Sequence, residues 1–261
     1  MDSPSIIERR EYKYLIDART VAQVRAAIAP FCRLDPFAAK SPNKTYGIDT
    51  LYFDTPALTL FWANDLEVVD RIKMRVRRYT GAADGPVYFE VKRRINDVIS
   101  KSRGRVPQDQ WQRLLRDDGA PIPAEIRGRD RMAVERFLSI ARSMHIRPIT
   151  LVNYQREPYF STIDDYARVT FDTHIRAHSV DTLTFEPDGS RWRALDTEIL
   201  QEGWGSMCVL ELKFTNNVPW WLVNVARSVG LVRGAFSKYG TSIRAFYEGS
   251  DVRAARVAGG W

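Results

Sequence analysis

Polar and apolar residues alternate one for one where Arg71, Lys73, Arg75 and Arg77 are separated by Ile72, Met74 and Val76. The same period recurs with Glu90 and Lys92 around Phe89 and Val91, and again at Lys101, Arg103 and Arg105. Successive side chains of a strand leave on opposite faces, so each run predicts a strand with one charged face and one core face. Gly81 and the Asp84-Gly85-Pro86 turn join Asp70–Tyr79 to Val87–Arg94 as a hairpin, and Ile99–Val106 supplies a third strand.

The remaining pattern extends this plan. Glu8 to Ile16 reads as a strand, and Asp17 opens a helix through Val21, Val24 and Ile28 that Pro30 closes. Tyr46 to Asp54 reads as a strand ending at Thr55-Pro56, followed by an apolar helical turn from Ala57 to Ala63. Pro107 suits the first turn of a helix bearing Trp111, Leu114 and Leu115, and from Asp130 to Met144 the apolar spacing is helical. Strands are predicted at Pro148–Phe160, Tyr166–Ala177, Leu183–Glu186, Arg193–Ile199 and Met207–Thr215, and Pro219 opens a last amphipathic helix. Seven to nine strands in hairpin-like order, with helices inserted rather than alternating, predict an α+β protein built on an antiparallel sheet or barrel.

Charge sharpens the picture. The chain of 261 residues carries a net charge of +7, and residues 71–105 alone hold eleven Lys or Arg against Asp84, Glu90 and Asp97. The basic excess therefore sits in one sheet region, where a polyanion is the natural occupant. Cys32 and Cys208 form no metal-binding or redox motif and read as buried, reduced thiols. No run of 18 apolar residues and no leader-like N-terminal segment is visible, so a cytoplasmic protein is expected, carried to the inner face of a membrane only by a membrane-protein partner. Residues 1–248 are expected to form one domain and 249–261 a frayed tail.

Other strands carry in-phase charges. Arg156 follows Tyr154, Arg168 precedes Asp172, Glu211 shares a face with Lys213, and Arg9, Glu11 and Lys13 are in phase. If these faces converge, their cations repel unless an anion sits among them. Phosphate chains suit such a site: arginine forks bind phosphoryl oxygens, lysine acts as a point charge, and carboxylates hold Mg²⁺ or Mn²⁺ bridging the same phosphates. The carboxylates in phase are Glu211, Glu11 and Glu90.

The ordered set of segments ERREYKYLI (8–16), LYFDT (51–55), RIKMRVRRY (71–79), YFEVKRR (88–94), Lys101-Ser-Arg103, Tyr154-Gln-Arg156, RVTFD (168–172), LELK (210–213) and FSKY (236–239) resembles the VTC-type polyphosphate polymerase domain of the triphosphate tunnel metalloenzymes. The resemblance implies a closed antiparallel tunnel of about eight strands with helices outside and ATP's triphosphate within. It implies Lys13, Arg75, Arg77, Lys92, Lys101, Arg156 and Arg168 as phosphate contacts, Arg71, Lys73 and Arg103 beside them on the basic strands, Tyr154, Ser237 and Lys238 as further contacts, and Glu211 as metal ligand. The sequence departs from the Glu-x-Glu-x-Lys signature of many tunnel enzymes, having Arg9, Glu11 and Lys13.

The reaction implied is transfer of ATP's γ-phosphoryl to a growing polyphosphate, in which the acceptor phosphate is already anionic and needs no general base. His145, His174 and His178 form no evident catalytic set and read as surface or capping residues. A tunnel-type tri- or polyphosphatase, or a non-catalytic polyphosphate or inositol-phosphate binder, would use the same cage. Nucleic acid is not expected, since no aromatic run, recognition helix or basic tail of the usual kinds is present.

Overall fold

The computed structural model describes residues 10–81, 85–96, 98–189, 191–196, 207–215 and 217–247. In chain order its elements are β1 (Arg10–Ile16), α1 (Ala18–Ile28), β2 (Cys32–Leu34), α2 (Pro36–Ala39), β3 (Tyr46–Asp54), α3 (Thr59–Asp65), β4 (Asp70–Tyr79), β5 (Val87–Ile95), β6 (Val98–Val106), α4 (Trp111–Arg116), α5 (Gly128–Ser143), β7 (Arg147–Ser161), β8 (Ala167–Ser179), β9 (Arg193–Ala194), β10 (Cys208–Phe214), α6 (Trp220–Ser228) and α7 (Lys238–Tyr247). The strands hydrogen-bond in the order β1-β10-β8-β7-β3-β4-β5-β6, with β2 beside β7 and β9 beside β8.

The expected α+β antiparallel architecture is present, but the expected closed tunnel is corrected. The strand order ends at β1 and β6, and no pairing among the described residues joins those two edges. The sheet is therefore open in its hydrogen bonding.

The chain forms two compact units, each with its own core. The first is drawn from Met1–Gly47, Tyr154–Ile175 and Ala194–Phe236, and the second from Ile48–Asn153, Arg176–Arg193 and Ser237–Trp261. In the first, Tyr14, Ile16, Leu210, Leu212, Val169 and Phe171 of the sheet bury against Val24 and Ile28 of α1 and Trp221, Leu222 and Val225 of α6. Asp17 starts α1 by accepting from the Thr20 amide at 2.7 Å, which satisfies one of the donors a helix start leaves open.

In the second unit Met74, Val76, Phe89 and Val91, the apolar half of the alternation, pack against Trp111 and Leu114 of α4 and Val134, Phe137 and Leu138 of α5. Each such side chain contributes about 1.5–3 kcal/mol when fully buried. α5 comes so close to β6 that a Cβ on Gly104 would stand 2.7 Å from the Asp130 carbonyl and 2.8 Å from Val134 Cγ2. Only glycine lets the backbones approach that closely.

Several expectations change. The segment Leu183–Glu186 is not a strand: the Thr184 amide donates to Thr182 O and the Glu186 amide to Thr184 Oγ1, so local bonds fold it into turns. Phe185 then plugs the core, its ring 5.0 Å from Trp111. Of the strand expected over Arg193–Ile199, Arg193–Ala194 forms β9, and 197–199 lie outside the described residues. β2 and α2 were not anticipated, because three or four residues are too few to show a period. Glu8, Arg9 and the tail from 249 lie outside the described residues.

Candidate functional site

Across β4, β5 and β6 the charged positions line up in rungs. Tyr52 of β3 pairs with Arg75, Arg75 with Glu90, and Glu90 with Arg103. In the neighbouring rung Lys73 pairs with Lys92 and Lys92 with Lys101. Three lysines directly opposite one another on adjacent strands repel, so this rung is formed at an electrostatic cost.

One carboxylate gathers the cations beside it. Glu90, 1% exposed, has Arg75 Nε at 2.6 Å and Arg77 Nη1 at 3.9 Å from Oε2, and Lys101 Nζ at 2.8 Å and Arg103 Nε at 3.4 Å from Oε1. Burial alone would raise its pKa; Arg75, Arg77 and Lys101 overcome this and hold it well below the usual carboxylate range. Burial pushes Lys101 down to about 7, Glu90 opposing and Arg75 and Arg77 adding to the fall. Its side chain nonetheless keeps 43% of its surface in water, so it is open to an incoming anion. Arg103 is further fixed by lying 3.7 Å over the Tyr88 ring.

In the other unit the centre is Glu211 on β10, opposite Lys13 of β1 and Thr170 of β8. Its Oε2 accepts from Lys213 Nζ at 2.6 Å and Arg156 Nη2 at 3.1 Å, and its Oε1 lies 3.9 Å from Lys13 Nζ. Arg156 forks onto Asp172 at 2.6 and 2.7 Å. Burial disfavours the Arg156 charge, but Asp172, Tyr154 and Glu211 hold its pKa well above the ordinary value. Lys13 Nζ also stands 3.3 Å from Glu11 and donates to Phe236 O at 2.9 Å.

A third element positions α7. Asp54, at the end of β3, accepts from the amides of Thr55, Leu60 and Phe61 at 2.7–2.8 Å, and from the Tyr239 hydroxyl. Those bonds start α3 at Thr59 rather than Ala57. They also hold Tyr239, stacked 5.0 Å from Tyr52, so that Ser237 receives a hydrogen bond from Lys73 at 3.3 Å and Lys238 is buried at the head of α7. Burial, Asp54 and Tyr52 among its causes, drives the Tyr239 phenol far above its ordinary pKa.

The structure brings together Lys73, Lys92, Arg75, Arg77, Lys101 and Arg103 around Glu90, and Lys13, Arg156, Glu11 and Glu211 in the other unit. Arg71 turns to the Glu67 and Val68 carbonyls, and Arg168 lies over the rings of Phe160 and Tyr166 at 4.5 and 5.1 Å. Tyr154 is buried with Arg156 over its ring at 5.4 Å. Lys213, Asp172, Thr170, Thr50, Asp54 and Tyr239 were not among the expected site residues. Asp54 and Tyr239 lie inside the LYFDT and FSKY segments, but their pairing spans 185 positions and leaves no local signal. His178 is buried rather than at the surface, its ring nitrogens facing Ser179 O and Asp188 O.

Among the described residues no three His, Cys, Asp or Glu side chains form a metal-binding group. Mg²⁺, however, is commonly held by one or two carboxylates with phosphate oxygens completing the shell. Glu211 and Glu11 share Lys13, with Lys213 and Arg156 on Glu211 and Lys213 opposite Glu11; with Asp172 on Arg156 the acids match the cations, and the two carboxylates fit that pattern. Glu90, ringed by four cations, does not.

The VTC domain family matches residues 8–247, nearly the whole chain, and the chain belongs to that family. This is a family of polyphosphate-related function and of phosphotransferase type. Among solved structures the chain is similar to the PH1819 protein from Pyrococcus horikoshii OT3, at 12% identity and a TM-score of 0.45, covering 91% of this chain and 99% of that one. No curated protein matches it. No helix among the described residues is long and apolar enough to cross a membrane.

Proposed function

We propose that this protein is an ATP-dependent polyphosphate polymerase. The observation that carries the reading is the in-register rung Lys73–Lys92–Lys101 beside the four-cation cluster on Glu90. Glu90 already offsets Lys101 at 2.8 Å, but cations outnumber that one carboxylate on these strands and favour a further anion, and a phosphate chain presents one charge per unit along an extended line.

In the step proposed, a terminal oxygen of the acceptor polyphosphate attacks the γ-phosphorus of ATP, the bond from that phosphorus to the β,γ-bridging oxygen breaks, and ADP leaves with the electron pair. No proton need be removed from the acceptor. Arg75, Arg77 and Arg103, fixed by Glu90 and by Tyr52, Thr50 and Tyr88, neutralise phosphoryl oxygens without reorganising. Lys73, held by Ser237, and Lys92, Lys101 and Lys238 supply point charges in the second unit; in the first unit Lys13 and Arg156 are assigned to phosphate contact. Mg²⁺ or Mn²⁺ would be held by Glu211 and Glu11 in the first unit and would neutralise phosphate charge there.

The test is incubation of the protein with ATP and Mn²⁺. The expected products are ADP and a long acid-labile phosphate polymer. Orthophosphate alone would make it a triphosphatase, and unconsumed ATP a binding module.

A further inference from the structure

A cavity of about 760 Å³ lies in the second unit, with no residue of either glutamate centre in its lining, which comprises Arg147, Arg191 and Arg193, Trp192, Phe246 and Tyr247, the start of β7 and the end of β8. From these lining residues and their chemistry we infer that it binds a nucleotide, independently of the polymerase reading.

Three arginines and a single acid, Asp181, are among the lining residues. Arg147 and Arg191 form no ion pair with any described residue. Arginine forks without an acidic partner among the described residues, lining one concavity, match phosphoryl oxygens. The other half of the wall is aromatic. Arg193 lies 4.9 Å over Phe246 and donates to Ala245 O, which fixes its fork beside that ring. Trp192 is held by Arg176 over its face at 4.6 Å and His178 against its edge at 5.6 Å. The Tyr247 hydroxyl pairs with Ser179 Oγ at 3.3 Å, which leaves its ring as part of the wall. Bare phosphate gains nothing from three rings, and an apolar ligand would strand three cations. A ligand with both a planar base and phosphates uses the whole lining, and the volume falls within the range of small-molecule sites.

The test is photolabelling of the full chain with 8-azido-ADP, mapped by peptide mass spectrometry. Label is expected on the peptides holding Trp192 or Phe246-Tyr247, displaced by ADP at least tenfold better than by tripolyphosphate, and reduced at least tenfold in R147E/R191E. Both arginines are exposed, so this variant should keep the wild-type melting temperature. Label confined to other peptides, label unchanged in the double variant, or equal displacement by tripolyphosphate overturns the assignment. A protein that makes no polymer but labels here would sink the proposed function and leave this site standing.

Discussion

The two glutamate centres use the same device to opposite electrostatic ends. Around Glu211 the cations Lys13, Arg156 and Lys213 meet the acids Glu11, Asp172 and Glu211, so charge is balanced within the cluster. Around Glu90 one carboxylate meets Arg75, Arg77, Lys101 and Arg103, with Lys73 and Lys92 in the next rung. On the proposed function, the balanced cluster would offer carboxylate oxygens to a metal and the unbalanced one would be completed by an anion. Two buried glutamates on basic faces thus differ in the number of acids around them: Glu90 stands alone among its cations, whereas Glu211 shares its cations with Glu11 and Asp172.

The comparison breaks first at Glu90. Glu90→Ala leaves four cations without their counter-charge, and a loss of roughly 3–5 kcal/mol is expected, read as the shift of a urea midpoint. A loss below about 1 kcal/mol would mean that Glu90 does not hold the cluster together.

Glu211→Gln should behave differently. Asp172 still pairs with Arg156, so the stability loss should stay near 1–2 kcal/mol, while ATP turnover falls by about two orders of magnitude. Turnover left intact at unchanged Mn²⁺ dependence would remove the metal role from this residue.

The link between β3 and α7 gives a third and smaller effect. Asp54→Asn weakens bonds to three amides and the Tyr239 hydroxyl, and should cost about 1–3 kcal/mol. Because it acts through Ser237 and Lys238, its apparent KM for ATP should rise more than its kcat falls. A variant with full stability and wild-type KM would show that α7 is held by other contacts.

The mildest effect concerns pH. Lys101 is lowered to about 7 in the folded protein, so between pH 7 and its unfolded value near 10.5 the unfolded chain binds more protons. The Lys101 contribution to stability is accordingly unfavourable below that window and recovers as pH rises through it. Anion binding restores the charge, so tripolyphosphate should bind with proton uptake and weaken several-fold as pH rises from 7 to 9, measured by calorimetry in buffers of different ionisation enthalpy. Lys101→Arg, which stays charged, should flatten that dependence; an identical slope in both proteins would mean Lys101 does not titrate there.

Most of the strands and both charged faces were written in the sequence, because period-two alternation is a local property: Arg71 to Arg77 point one way and Ile72 to Val76 the other whatever the partner strand. Local order also marked α1 at Asp17 and α6 at Pro219, although the last helix is α7, which follows at Lys238. Register, by contrast, depends on which strand lies alongside. The rung of Lys73, Lys92 and Lys101, the four cations on one Glu90 and the Arg156 fork on Asp172 join neighbouring strands whose register the alternation alone does not set, and the Asp54–Tyr239 bond joins residues 185 positions apart. The open edges at β1 and β6 belong to the same class, since closure is a matter of pairing rather than of pattern. Sequence determined which residues carry charge and on which side of a strand; tertiary structure decided which of those charges meet, because side-chain direction is set by the backbone of one residue and neighbourhood by the packing of all of them.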